Sequence, residues 1–139
     1  SASDYERSLE LTMRVWERWQ PWLDQPALIG IGSVCRRTLK HPSHGLYAIL
    51  SRLESVFPTS SHAHLFGVKG AALEEVKMMP WIASADSMAY DFGARINARK
   101  AGISNSFDHR TKEMTDWMSA AARRLQPAAG DQYRLPLFA

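Results

Sequence analysis

Three short apolar runs alternate with stretches of helical periodicity, and this alternation limits the fold more than any other feature. The runs are Ala27-Leu28-Ile29-Gly30-Ile31-Gly32-Ser33-Val34, His62-Ala63-His64-Leu65-Phe66-Gly67-Val68 and Trp81-Ile82-Ala83-Ser84-Ala85. Apolar runs of this length, bounded by turn residues, read as strands, and the first reads as a strand buried on both faces. Strands alternating with helices imply parallel βαβ units with right-handed crossovers. Three parallel strands alone leave two open edges, and a complete barrel of such units takes roughly 250 residues. The expected fold class is therefore α/β: a partial (β/α) TIM-type barrel of about three parallel strands with helices, followed by a C-terminal amphipathic helix. The rest of such a barrel has to come from a missing N-terminal half or be replaced by self-association.

Between the runs, local signals set the helices. Ser3 and Glu6 have the spacing of a capping box for a first helix, along which Tyr5, Leu9, Thr12, Trp16 and Trp19 recur at helical spacing, with Leu11, Val15 and Trp22 widening the apolar stripe. Such a stripe is meant to be covered. Pro21 and Pro26 end it. His41-Pro42-Ser43 leads into a second helix through Leu46, Ile49, Leu50, Leu53 and Val56, stopped by Pro58; a short third helix spans Ala71 to Lys77. Ser87 can cap a fourth helix running towards Arg99, and Ser106 a last one carrying Phe107, Met114, Trp117, Met118, Ala121 and Leu125. The barrel portion is expected over 1–126, with a Pro/Ala/Gly-rich tail at 127–139 whose apolar Leu135-Pro136-Leu137-Phe138 end can dock.

Composition excludes several classes. At 45% hydrophobic and 22% charged, the 139 residues suit one globular domain. There is no run of about 18 apolar residues to span a bilayer, and the first residues lack a signal-peptide pattern, so no membrane partner and a cytoplasmic location are expected. Cys35 is the only cysteine, which rules out an intrachain disulfide and a cysteine metal cluster within these residues. A net charge of +3 and a pI near 9.2 are compatible with nucleic acid without requiring it.

The third run delivers an acid, Asp86, and then turns into a helix. An acidic residue at the carboxyl end of a buried parallel strand stands where barrel enzymes keep their chemistry. Asp is also a common N-cap, and the two roles are compatible. His62 and His64 share a strand face, yet no third ligand is spaced to join them, so a packed or hydrogen-bonded role is expected and no metal site. Gly30 and Gly32 lack the third glycine and the ribose-binding acid of a dinucleotide fingerprint. Cys35 has no partner base and reads as an inert thiol. The tryptophans read as packing residues, with base stacking a lesser option for Trp81.

Together, Ile29-Gly30-Ile31-Gly32-Ser33-Val34, His64-Leu65-Phe66-Gly67-Val68 and Ala85-Asp86-Ser87-Met88-Ala89-Tyr90 resemble, in order and spacing, the tRNA-guanine transglycosylase superfamily. Gly32-Ser33-Val34-Cys35-Arg36-Arg37 makes the branch that inserts 7-deazaguanines into DNA the nearer one. The likeness covers Ala27 to Arg99, the C-terminal strands of that family's barrel. It implies that Asp86 is the catalytic nucleophile. Gly32, Ser33 and Val34 would bind the base through backbone amides, with Phe66 and Gly67 against its flat face. From topology alone, and not from the likeness, Arg36, Arg37, Lys69 and Arg95 are candidates for phosphate contacts, since they sit at loop or helix-start positions on or near the same rim.

The implied function is part of a transglycosylase exchanging guanine in nucleic acid, DNA rather than tRNA, for a preQ0-like 7-deazaguanine base through a covalent Asp-glycosyl intermediate. No cofactor is implied. The family's second aspartate, on the other barrel half, has no counterpart here, and no cysteine follows Arg99 to build the zinc site of tRNA-acting members. The alternative is a non-catalytic nucleic-acid-binding or assembly module retaining the barrel scaffold; a third reading is an unrelated small α/β domain.

Overall fold

The computed structural model describes residues 1–35, 37–129 and 131. In chain order they form α1 (Ala2–Trp19), β1 (Leu28–Ile31), α2 (Leu46–Glu54), β2 (His62–Leu65), a 3-10 turn (Gly70–Ala72) running into α3 (Leu73–Val76), β3 (Ile82–Ala85), α4 (Ala89–Ala101) and α5 (Phe107–Leu125). Arg36 and the apolar Leu135–Phe138 end of the tail lie outside the described residues.

The strands form one parallel sheet in the order β1-β2-β3. Alternate residues of β1 and β2 point into the core: Ile29, Ile31, Ala63 and Leu65 are buried, while Leu28, Gly30 and His62 are exposed. This corrects the reading of β1 as buried on both faces. Leu9 of α1, Leu46, Ile49, Leu50 and Leu53 of α2, Leu73 and Val76 of α3 and Ala121 of α5 join those inward strand residues in one cluster. The helices thus cover one face, and side chains at period two leave the other open.

Helix α1 begins at Ala2, ahead of the expected Ser3–Glu6 box. Ser1 and Asp4 form the capping box instead, which leaves Glu6 within the helix, where its carboxylate lies 2.7 Å from Arg52 Nε of α2. Of α1, Ala2, Tyr5, Leu9 and Met13 meet the core. Leu11, Val15, Trp19 and Trp22 remain exposed, so the wide stripe is covered only along one edge. Val56, expected in the second helix, lies beyond its end at Glu54 and is also exposed.

Helix α4 makes its principal contact with α5, and Ala94 and Ala98, one turn apart, are buried there. The absence of larger side chains at these two positions allows close approach. His109 Nε2 sits 2.9 Å from the Ala94 carbonyl oxygen, and Asn97 donates to Glu113 at 3.0 Å. The expected Ser106 cap is present, its hydroxyl accepting from the His109 amide at 3.2 Å. Among the described residues no helix is long and apolar enough to cross a membrane.

Candidate active site at the carboxyl ends of the strands

Register brings three expected site residues into one row. Ile31, Leu65 and Ala85 are aligned across the sheet, so the residues that follow them, Gly32, Phe66 and Asp86, leave the strands side by side. The ladder continues into this row: the Phe66 amide donates to the Ile31 carbonyl at 3.0 Å, and the Asp86 amide to the Leu65 carbonyl at 3.1 Å. With neighbouring strands about 4.8 Å apart, the outer members of the row stand about 10 Å apart.

The Asp86 carboxylate is held in place yet open to solvent. Its Oδ1 accepts the Gly67 amide proton at 2.5 Å, and its main-chain carbonyl accepts from Val68 at 2.9 Å. The side chain remains 52% exposed. Asp86 does not cap α4; the first amide of that helix, Ala89, donates instead to the Ser87 hydroxyl at 3.2 Å. The conformation of Gly67 makes its contact with the acid possible, since φ there is +74° and an added Cβ would lie 2.6 Å from Cys35 Cβ.

His64 stands next to the acid, and sequence reasoning missed this link. Its Nδ1 lies 2.8 Å from Ser84 Oγ and its Nε2 3.5 Å from Asp86 Oδ2. The pairing depends on an irregularity between Ala63 and His64: Ala63 aligns with Ile82, but His64 aligns with Ser84. Ala83 is the extra residue, and by adding it β3 turns Ser84, and with it Asp86, to the open face that carries His64. The Phe66 ring meets His64 edge-on at 4.5 Å between centroids. An added Cβ at Gly30 would lie 2.6 Å from Phe66 Cε2, whereas one at Gly32 would meet open space. The glycine that makes room for the aromatic ring is thus Gly30, while the space beside Gly32 stays open.

The turn after β1 folds towards α1. Tyr5 donates its hydroxyl proton to the Gly32 carbonyl at 3.0 Å, and Ser33 has φ +58°. Val34 is buried. Arg37 donates to the Ser33 carbonyl at 3.4 Å and lies 5.6 Å from the Tyr5 ring centroid; Lys69 donates to the Arg37 carbonyl at 3.0 Å. Arg95, in the second turn of α4, pairs with Asp91 at 2.5 Å.

Two open clefts flank the row and share no residue. One of about 450 Å³ lies between α1 and β1, lined by Tyr5, Ser8, Thr12, Gly32, Ser33 and Arg37. The other, about 350 Å³, lies between β3 and α5, lined by Val68, Ser84, Asp86, Trp117 and Leu125. Both are of ligand-binding size. The larger one holds the glycine-serine turn and the smaller one the acid, with Phe66 in the row between them. Among the described residues no group of three or more His, Cys, Asp or Glu is placed to hold a metal ion.

A family model described as DpdA, DeoxyPurine in DNA protein A, matches residues 8–135. None of the curated proteins and none of the solved structures matches the chain.

Proposed function

Because this chain belongs to the DpdA family, which is linked to 7-deazaguanine modification of DNA, we propose that it is part of a transglycosylase that exchanges guanine in DNA for a 7-deazaguanine base. The observation that carries this reading is Asp86: an exposed carboxylate at the end of a parallel strand, fixed through one oxygen by the Gly67 amide, in line with an aromatic ring and a glycine turn. A nucleophile of this kind has to be rigid and accessible at once.

In the first half-reaction an oxygen of Asp86 bonds to C1′ of the target deoxyguanosine as the C1′–N9 bond breaks. Guanine leaves with the electron pair at N9 and takes up a proton from solvent. In the second, the incoming base gives its N9 proton to solvent and attacks C1′, and the carboxylate departs. Two inversions retain the anomeric configuration. Phe66 offers its face to the bases, and Gly32, Ser33 and Val34 offer main-chain groups. Lys69 donates one of its three N–H groups to Arg37 and can turn the others to a phosphate, while Arg37 and Arg95 supply further positive charge.

The three strand-helix units are then part of a (β/α) barrel completed by further protein. This is supported by the outer edges of β1 and β3, which pair with no further strand among the described residues, and by the exposure of Leu28, His62 and Phe66 on the sheet face away from the core. The test is exchange of labelled guanine in DNA for a 7-deazaguanine base by the full-length protein, with denaturing-gel detection of a protein–DNA adduct. Asp86→Ala is expected to lower exchange by about 10⁴-fold or more and to abolish the adduct; an adduct that survives the substitution refutes the assignment.

A further inference from the structure

We infer that His64 is the positioning residue for Asp86, holding the second carboxylate oxygen through a proton on Nε2 while Ser84 sets its tautomer. The inference rests on the transglycosylase reading for its consequence in catalysis, but its geometry stands apart from that reading.

A neutral imidazole has one N–H and one acceptor nitrogen, and the partner of one nitrogen decides the state of the other. Ser84 Oγ lies 2.8 Å from Nδ1. When that hydroxyl donates, Nδ1 is the acceptor and the ring proton sits on Nε2, facing Asp86 Oδ2 at 3.5 Å. In the opposite tautomer, the Nε2 lone pair would face the carboxylate and repel it. With Gly67 on Oδ1 and His64 on Oδ2, the carboxylate plane is set by two donors from β2 and the turn after it. The 3.5 Å separation is long for a hydrogen bond; contacts of this kind tighten when substrate is bound. Edge contact with Phe66 further limits rotation of the imidazole.

Ser84 orients the ring and is not itself the nucleophile. It lies within the body of β3, not on the sharp strand-to-helix turn that exposes a nucleophilic serine beside free amides. The direction of the relay is therefore Ser84 to His64 to Asp86, ending on the group that attacks C1′. Positioning through another residue predicts a loss in the chemical step with base binding unchanged.

Two measurements on the full-length protein test this. Nitrogen-15 NMR of the imidazole reads the tautomer without any turnover: the Nε2–H form is expected, mixing with the Nδ1–H form in Ser84→Ala. A wild-type ring protonated on Nδ1 alone overturns the inference whatever the protein catalyses. Single-turnover adduct formation reads the catalytic consequence. His64→Leu is expected to slow it about 100-fold with 7-deazaguanine affinity unchanged, and His64→Gln, which keeps a donor at the Nε2 position, to recover most of the rate. Equal rates in wild type, His64→Leu and His64→Gln overturn the inference, and so does a loss that Gln does not recover in a protein that melts normally. If Asp86→Ala still forms the adduct, the transglycosylase assignment to that acid falls, and the tautomer measurement judges the geometry by itself.

Discussion

Gly67 brings together two demands that only glycine meets. Its positive φ costs an L residue roughly 1–2 kcal/mol, and the space a methyl would fill is already taken by Cys35 Cβ. Gly67→Ala is therefore expected to destabilise the protein by about 2–4 kcal/mol, combining that strain with overpacking, and to disturb the amide that holds Asp86. A urea midpoint lower than wild type, together with slowed adduct formation, is the expected result. A midpoint equal to wild type would mean that the turn relaxes without strain. At this scale the position of Asp86 at a strand end was legible from the sequence because its signal is local: an apolar run, then an acid, then a helix start. His64 was not, because its link to Asp86 spans 22 residues and depends on the added Ala83 in β3.

Element by element, two kinds of stabilisation differ enough to be separated by experiment. Leu50 is wholly buried among residues of α1, α2 and the sheet, and Leu50→Ala is expected to cost about 2–5 kcal/mol. Ser106 caps α5 through one hydrogen bond to His109, and Ser106→Ala is expected to cost about 1 kcal/mol. Chemical denaturation of both variants checks the order; a cap substitution as costly as the core one would show that α5 depends on its first turn more than on its packing at Ala121. The Ser106 cap of α5 and the apolar spacing of Leu46, Ile49, Leu50 and Leu53 in α2 were readable in advance, since both act between residues close in the chain, whereas Phe107, Met118 and Leu125 of the expected α5 face stay exposed. The course of α4 was not. Its alanines at 94 and 98 lie against α5, and small residues signal close approach without naming the partner. The apolar stripe of α1 was similarly visible, but its width did not disclose that Leu11, Val15 and Trp19 would stay outside the core.

For the molecule as a whole, one ion pair ties the segment after α5 back to the end of α3. Lys77 Nζ lies 2.8 Å from Asp131 Oδ2 and donates to the Gln126 carbonyl at 2.9 Å. The hydrogen bond from Lys77, followed by that from the Ala128 amide, holds the Asp131 carboxyl below its usual range. A carboxyl with a depressed folded pKa contributes stability that is complete above its unfolded value, near 3.8, and is lost as pH falls through the lower folded value. Wild type is therefore expected to lose stability more steeply than Asp131→Asn below about pH 4, read as the difference between their denaturation midpoints across pH 2–6. Parallel curves would show that the pair contributes nothing in solution.

The sequence by itself determined the order of strands and helices, the parallel character of the sheet and the placing of Asp86 at a strand end, because periodicity, caps and crossovers act over neighbouring residues. Only the tertiary structure decided which sheet face the helices cover, which glycine yields to Phe66, and that His64 faces Asp86. Those depend on strand register and on which surfaces meet, and a shift of one residue in pairing turns every side chain of a strand to the opposite face.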